Sequence, residues 1–171
     1  MTAVKSLYDE DFFAWSQQQA EALRSAAHGG SNYELDWENL AEEIEGLARS
    51  ERRELASRLS LIIEHLAKLN HSSARYPRRR WRETIRRERV EVERLLEDNP
   101  SLRREVPVLI SKETPRTVDR VVGDLVERGE LSRSLRQSLK AKTYLDLFGY
   151  SEEQVLGDWF PSEPEQPKRG E

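Results

Sequence analysis

The chain has 171 residues, which is enough for one domain and short for two. Its apolar fraction is 36% and its charged fraction is 35%, whereas globular proteins usually have about 45–50% and about 25%. The sequence contains no cysteine, which excludes disulfides, cysteine-bound metals and thiol nucleophiles. It has no signal-peptide pattern and no uncharged apolar run of about 18 residues, so it predicts a cytoplasmic protein that does not enter a membrane.

The net charge of −4 is unevenly distributed along the chain. Residues 33–48 hold six acidic residues and no basic one, whereas residues 75–89 hold eight arginines and two glutamates. Such an asymmetry is typical of a chain that binds a charged partner, or of two faces that attract each other.

The first two predicted helices cover residues 9–27 and 37–70. Asp9 is the expected N-cap of the first helix, and Gly29 is expected to end it. Along the second helix, apolar residues recur at helical spacing without a break in phase, which predicts one helix about 50 Å long with this stripe in the core. The repeating residues are Trp37, Leu40, Ile44, Leu47, Leu55, Leu59, Ile62, Leu66 and Leu69.

The third predicted helix covers residues 77–98, since proline is favoured in a first helical turn. Further along, Pro107 and Pro115 interrupt an apolar pattern of helical type. This pattern predicts one kinked helix or two consecutive helices, ending at Gly129.

Two more helices are predicted near the end of the chain, one over residues 131–148 and a short one that starts at Ser151, where Gln154 completes a capping box. The sequence therefore predicts an all-α protein, a bundle of five to six helices with a long antiparallel central helix pair. Residues 1–161 are expected to form a single helical domain, and residues 162–171 a disordered tail.

Only about six residues join the second and third helices, so the two should lie antiparallel. A turn centred near Ser73 pairs positions whose numbers sum to about 147. This register brings Arg58 opposite Glu88, although each lies on the apolar stripe of its helix. We therefore predict a structural ion pair between Arg58 and Glu88, closer than about 8 Å.

Glu51 also lies on the apolar stripe of the second helix. A carboxylate there needs a hydrogen-bond donor, because burying it unpaired is costly. The expected donor belongs to another helix, for example Arg24 or a backbone amide. The alternative is an acid of raised pKa in a pocket with Glu54 and His65. A half-buried packing role remains the simpler interpretation of His65.

Five arginines of the third helix are the strongest candidates for binding a ligand. Guanidinium groups suit phosphates, and a basic helix with aromatic residues is one footprint of nucleic-acid binding. Against this, Trp81 is expected to face inward, and the acidic stretch is available to neutralise the arginines. These candidates are Arg78, Arg79, Arg82, Arg86 and Arg89.

The sequence lacks the common catalytic and cofactor motifs. It has no glycine-rich phosphate loop, no GxGxxG, no Glu-x-x-His and no His-Glu-x-x-His. With three histidines and no cysteine, no metal site and no cofactor are predicted. No nucleophile or oxyanion donor can be named, so the chain is expected not to be an enzyme.

Several segments resemble a bacterial family known as domain of unknown function number twenty-nine. They include residues 38–45 (ENLAEEIE), 81–86 (WRETIR), 95–102 (LLEDNPSL) and 150–159 (YSEEQVLGDW). The resemblance covers about residues 7 to 161. It implies a compact helical bundle and implies no particular activity.

The leading interpretation is therefore a non-enzymatic helical protein that binds a protein partner or a second copy of itself through a charge-patterned face. The first alternative is a nucleic-acid-binding accessory protein that uses the arginine-rich residues 78–89. The second alternative is an enzyme built around Glu51, Glu54 and His65.

Overall fold

The computed structural model describes residues 6–29, 35–141 and 148–162. Within these ranges the chain forms seven α-helices and one 3₁₀ helix, and its only β-structure is an isolated bridge between Ser72 and Leu131. The predicted all-α class is confirmed. The helices are α1 (Leu7–Glu10), α2 (Phe12–His28), α3 (Trp37–His71), α4 (Arg78–Asp98), the 3₁₀ helix (Pro100–Glu105), α5 (Val106–Glu127), α6 (Arg133–Ala141) and α7 (Glu152–Leu156).

The first predicted helix is divided into α1 and α2, so the predicted N-cap at Asp9 was wrong. Asp11 has an extended backbone, with φ −159° and ψ 88°, and its carboxylate accepts a hydrogen bond from the Ala14 amide at 2.8 Å. Asp9 instead completes the capping box of α1 with Ser6. Because Asp11 supplies the better-placed acceptor, α2 starts three residues later than predicted.

Helices α3 and α4 confirm the two strongest predictions from the sequence. α3 is one helix of 35 residues that continues one residue beyond its predicted end. α4 begins after Pro77, whose carbonyl accepts a hydrogen bond from the Trp81 amide at 3.0 Å. The uninterrupted 3.6-residue periodicity therefore predicted the elements correctly.

The apolar pattern interrupted by two prolines forms a single helix, α5, with Pro115 inside it. The helix ends as predicted at Gly129, whose φ of 67° is the left-handed conformation that glycine adopts without strain. The Gly129 amide donates to the Val126 carbonyl at 3.1 Å, and the Glu130 amide donates to the Leu125 carbonyl at 2.9 Å. These two hydrogen bonds satisfy carbonyls in the last turn of α5, as is usual where a helix ends at a left-handed glycine.

The remaining predictions near the C-terminus are met in part. α7 has the predicted capping box between Ser151 and Gln154. α6 starts at Arg133, whereas residues 142–147 of the helix predicted over 131–148 lie outside the described residues. The predicted tail also lies outside them, apart from Ser162.

The chain divides into two compact units, and the expectation of one domain over residues 1–161 stays a prediction. The first unit contains Met1–Ser57 and Val92–Val106, and the second contains Arg58–Glu91 and Pro107–Glu171.

Hydrogen bonds between two helix starts hold the first unit together. The Asn99 side chain accepts from the Phe13 amide at 2.9 Å, and Asp11 accepts from the Ser101 amide at 2.7 Å. Both Asn99 and Asp11 are buried. Their side-chain oxygens therefore take the place of water as hydrogen-bond acceptors for the first backbone amides of two helices, and the bond to the Asp11 carboxylate is charge-assisted. Small side chains of α2 and α3, including Ala20, form part of the core below them.

The second unit has an aliphatic core. The antiparallel arrangement predicted for α3 and α4 is confirmed here, since Arg58 contacts Glu88 while the Leu69 carbonyl contacts Arg78. The core side chains have at most 1% of their surface exposed, and include Leu59, Ile62, Leu66, Ile85, Leu109, Leu125, Leu135 and Phe148.

Candidate functional site

Two of the five candidate arginines are used inside the second unit. Arg78 is buried, and its Nη2 donates to the Leu69 carbonyl at 2.6 Å, near the C-terminal end of α3. Arg89 donates to the carbonyls of Gln154, Val155 and Trp159 at 2.8 to 2.9 Å. In both cases a guanidinium group satisfies carbonyls at or beyond the last turn of a helix, where a positive charge is also favoured by the helix dipole.

Three arginines surround the ring of Phe160. The guanidinium carbons of Arg82, Arg86 and Arg89 lie 5.7, 5.3 and 4.8 Å from the ring centroid. Burial lowers the pKa of Arg89, and Asp158 and Arg86 act on it in opposite directions. This cluster attaches the segment after α7 to α4 through cation–π contacts.

The arginines at the start of α4 have a different environment. Arg79 is 89% exposed and pairs with Glu83 at 2.8 Å, one helical turn away, and its hydrogen bond to Glu83 raises its pKa. Arg80 is also exposed. Of the five predicted residues, Arg79 is therefore the most available to a partner, while Arg78 and Arg89 are held by backbone carbonyls.

The predicted ion pair between Arg58 and Glu88 is confirmed. Arg58 Nη1 lies 3.0 Å from Glu88 Oε2, and the Glu88 side chain is 8% exposed. Arg87 pairs with the other oxygen of Glu88, also at 3.0 Å. Two cations thus compensate the cost of burying this carboxylate, which explains why the apolar stripes tolerate it.

Glu51 has an amide as its partner, and the suggested pairing with Arg24 was wrong. Asn99 Nδ2 lies 3.4 Å from Glu51 Oε2, a long hydrogen bond, whereas Arg24 pairs with Glu45. Burial raises the pKa of Glu51, and the charge of Glu54 adds to the effect. The half-buried carboxylate thus has a weak side-chain donor, which is neither the arginine nor the backbone amide that was suggested.

The third candidate group is divided between the two units. Glu51 and Glu54 belong to the first unit and His65 to the second. His65 is half-buried, and its Nδ1 is enclosed without a hydrogen-bond partner in the part of the chain that the structure describes. Burial lowers the pKa of His65 and favours the neutral imidazole. This environment fits packing better than proton transfer.

The N-terminal half of α3 presents a feature that the periodicity did not predict. Leu40 and Leu47 were expected in the core, yet they are 42% and 41% exposed. Ala41 and Ala48 are buried instead, with 0% and 2% exposed. The buried face of α3 is therefore rotated toward the alanines, because small side chains allow α3 to pack closely within the first unit.

Two acidic residues lie near these leucines, Glu43 within α3 and Asp36 just before the helix begins. Glu43 is three residues after Leu40 and four before Leu47, which places it next to both on a helix. Asp36 lies one heptad before Glu43.

The two units also differ in net charge. The first unit has 8 basic and 16 acidic residues, a net charge of −8, whereas the second has 20 basic and 16 acidic residues, a net charge of +4.

The second unit contains a surface cleft of about 400 Å³ beside α5. Its lining residues are not among the candidates named from the sequence, because they come from segments far apart in the chain. The principal ones are Pro107, Ile110, Ser111, Pro115, Tyr150 and Glu152.

Among the described residues, no group of three or more histidine, aspartate or glutamate side chains is placed to hold a metal ion. None of the described helices has an apolar stretch long enough to cross a membrane.

These observations define a class of protein, an all-α protein in which helix ends and ion pairs organise each unit. The chain belongs to the family described as Domain of unknown function DUF29, whose model matches residues 7–160. The expected family membership is thus confirmed. No curated protein matches the sequence.

A solved structure of similar fold is an α-helical protein of unknown function from Rhodospirillum rubrum. It is 24% identical, and the alignment covers 91% of this chain and 92% of that chain with a TM-score of 0.65. At this identity the likeness supports the helical fold and carries no information on activity.

Proposed function

We propose that this chain is a protein-interaction module whose first unit binds a basic, amphipathic helical segment of another protein. The binding surface is the leucine–acid face of α3, formed by Asp36, Leu40, Glu43 and Leu47. The observation that carries the proposal is the exposure of two leucines, each above 40%, beside Glu43, which forms no ion pair with any residue that the structure describes.

The leucines supply the apolar part of the proposed surface. Leu40 and Leu47 are one heptad apart and therefore lie on the same side of α3. Leu35, half exposed at 50%, lies just before the helix. Covering such side chains removes apolar surface from water and contributes about 25 cal/mol per Å².

The carboxylates supply specificity. Glu45 of the acidic stretch is paired with Arg24 and Arg49, but within the described residues Glu38, Glu42 and Glu43 form no ion pair. Unpaired acids around an apolar strip favour a partner with lysines or arginines flanking its apolar residues.

The same charge argues against a symmetric contact of this face with itself. In a two-fold dimer each residue meets its own kind or a neighbour from the same patch. Such a contact would bring the acidic rows of two copies together, and like charges in an interface are repulsive. A basic partner is therefore favoured over self-association through this surface.

The two alternatives have weaker support. Nucleic-acid binding would have to compete with contacts that most of the candidate arginines already make. Arg78 and Arg89 donate to backbone carbonyls, and Arg82, Arg86 and Arg89 contact the ring of Phe160. The full set of candidates is Arg78, Arg79, Arg82, Arg86 and Arg89. None of the enzyme candidates Glu51, Glu54 and His65 lines the cleft beside α5, and the two glutamates belong to a different unit from His65.

The proposal can be tested with a synthetic amphipathic helix of leucine and lysine, compared with the same pattern of leucine and glutamate. The lysine peptide should bind the wild-type protein and weaken as salt increases, while the glutamate peptide should not bind. The double variant Leu40→Ser with Leu47→Ser should reduce the affinity about tenfold or more.

The matched control is Val126→Ser, which removes a side chain that is 52% exposed on α5 of the second unit. It should leave peptide binding unchanged. Equal binding by the double variant and the wild type would refute the proposed surface. A dimer in light scattering that the double variant abolishes would replace the basic partner with a second copy of the chain.

A further inference from the structure

The cleft beside α5 in the second unit is lined by a residue whose backbone carbonyl lacks its usual hydrogen-bond donor. Pro115 lies inside α5 and has no backbone N–H. The carbonyl of Ser111, four residues earlier, therefore cannot receive its usual intrahelical hydrogen bond. Ser111 and Pro115 both line the cleft, and a proline ring inside a helix lies against the carbonyl four residues earlier, which places this carbonyl beside the cleft.

Two other polar side chains of the cleft are a hydroxyl that already donates within α5 and a carboxylate. The Thr114 hydroxyl donates to the Ile110 carbonyl at 2.6 Å, which uses its proton. Glu152 contributes a carboxylate from the first residue of α7. No lysine, arginine or histidine is among the described residues that line the cleft. The one charged side chain in the described lining is therefore a carboxylate, which repels an anionic ligand and attracts a cation.

The rest of the lining is apolar or aromatic. Pro107, Ile110 and Pro115 contribute aliphatic surface, and Tyr150 contributes its ring. The volume of about 400 Å³ is in the range of sites for small ligands. A carbonyl, a carboxylate and an aromatic ring are together the groups that bind an ammonium ion, by hydrogen bonds and by cation–π attraction.

We propose that this cleft binds a small amine, with its apolar body against Pro107, Ile110 and Tyr150 and its ammonium group between the Ser111 carbonyl and Glu152. This site is independent of the leucine–acid face, because all of its residues belong to the second unit.

The test uses three probes of similar shape and different charge: 2-phenylethylamine, 2-phenylethanol and phenylacetate. Binding is followed by calorimetry and by the methyl resonance of Ile110 in NMR titrations at neutral pH. The amine should bind at least about tenfold more tightly than the alcohol, and phenylacetate should not bind.

Two variants separate this site from a general effect on folding. Glu152→Gln should weaken amine binding about tenfold, whereas Glu153→Gln, the neighbour that does not line the cleft, should have no effect. Pro115→Ala supplies a backbone N–H at position 115 that can donate to the Ser111 carbonyl. It should raise the melting temperature and still weaken amine binding, so unfolding cannot explain the loss.

The proposal is overturned if the three probes bind alike, if the amine does not bind, or if both Glu152→Gln and Pro115→Ala bind the amine as the wild type does. These outcomes leave the proposed binding of a basic helix by α3 unaffected.

Discussion

Helix α3 carries one leucine periodicity through both units, but the two halves bury it to different extents. In the first unit Leu40 and Leu47 are 42% and 41% exposed, whereas in the second unit Leu59 and Leu66 have no exposed surface. The leucines have the same helical spacing in both halves, and the halves differ in whether neighbouring elements cover the leucine side chains. A helical stripe therefore indicates which side of a helix is apolar, and neighbouring elements decide whether that side is core or surface.

The units also differ in how they use charge. The first has a net charge of −8 and leaves Glu38, Glu42 and Glu43 without ion pairs among the described residues, while the second contains largely buried ion pairs within and between its helices. In the second unit Lys68 contacts Glu64 at 2.6 Å and Arg120 contacts the same carboxylate at 2.8 Å. The ion pairs of Glu64 with Lys68 and Arg120 stabilise the fold of the second unit, whereas those three glutamates of the first unit form none with any described residue.

The largest contrast is expected from truncating the two leucine sets. Leu66→Ala should lower the free energy of unfolding by about 2–5 kcal/mol, because it leaves a cavity in a fully packed core. Leu47→Ala should lower it by less than about 1 kcal/mol. Denaturant titrations of both variants test this, and equal losses would mean that α3 is packed alike in its two halves.

A second effect concerns the arginine that binds the end of α7. Arg89→Ala removes hydrogen bonds to three backbone carbonyls and should cost about 2–3 kcal/mol. Limited proteolysis should then cut faster near Trp159. Arg80→Ala, an exposed neighbour on α4, serves as control and should change stability by less than about 0.5 kcal/mol.

The buried ion pair offers a smaller effect. Arg58→Met should cost about 1–2 kcal/mol, since Glu88 keeps Arg87 as its other partner. A double-mutant cycle with Glu88→Gln should give a favourable coupling energy of about 1 kcal/mol. Additive losses in the cycle would show that the contact at 3.0 Å contributes nothing to stability.

His65 should make the second unit sensitive to acid. Burial lowers its pKa in the folded state, so the unfolded chain takes up a proton first as the pH falls. Stability should therefore decrease below about pH 6.5 until the folded imidazole is also protonated. Thermal melts of His65→Gln between pH 8 and pH 5 should show a weaker decrease than those of the wild type.

Glu51 should give the smallest effect, with the opposite dependence on pH. Burial raises its pKa, so the ionised carboxylate opposes folding at neutral pH, and this cost disappears as the pH falls below the ordinary pKa of a glutamate. Glu51→Gln should be slightly more stable than the wild type at pH 7, by roughly 0.5 kcal/mol or less for a half-exposed group. The two melting temperatures should converge near pH 4, and a constant difference would exclude this explanation.

Much of the fold followed from local patterns. The bounds of α3 and α4, the end of α5 at Gly129 and the capping box at Ser151 depend on periodicity, on a left-handed glycine and on side chains three residues apart. The ion pair of Arg58 with Glu88 was predictable for a related reason. A short connection determines the register of an antiparallel pair, so one turn position aligns all the others.

The candidate sites depended on tertiary structure, because their residues meet across long separations in sequence. No local pattern shows that Arg89 binds carbonyls 65 to 70 residues away, or that Pro107 and Tyr150 line the same cleft. Likewise, the leucine repeat has the same spacing whether or not a neighbour covers it. The amino-acid sequence by itself determined which segments are helices and which faces are apolar. Only the packing of distant segments decided which charges are satisfied and which leucines remain at the surface, since burial and hydrogen bonding depend on what lies opposite each side chain.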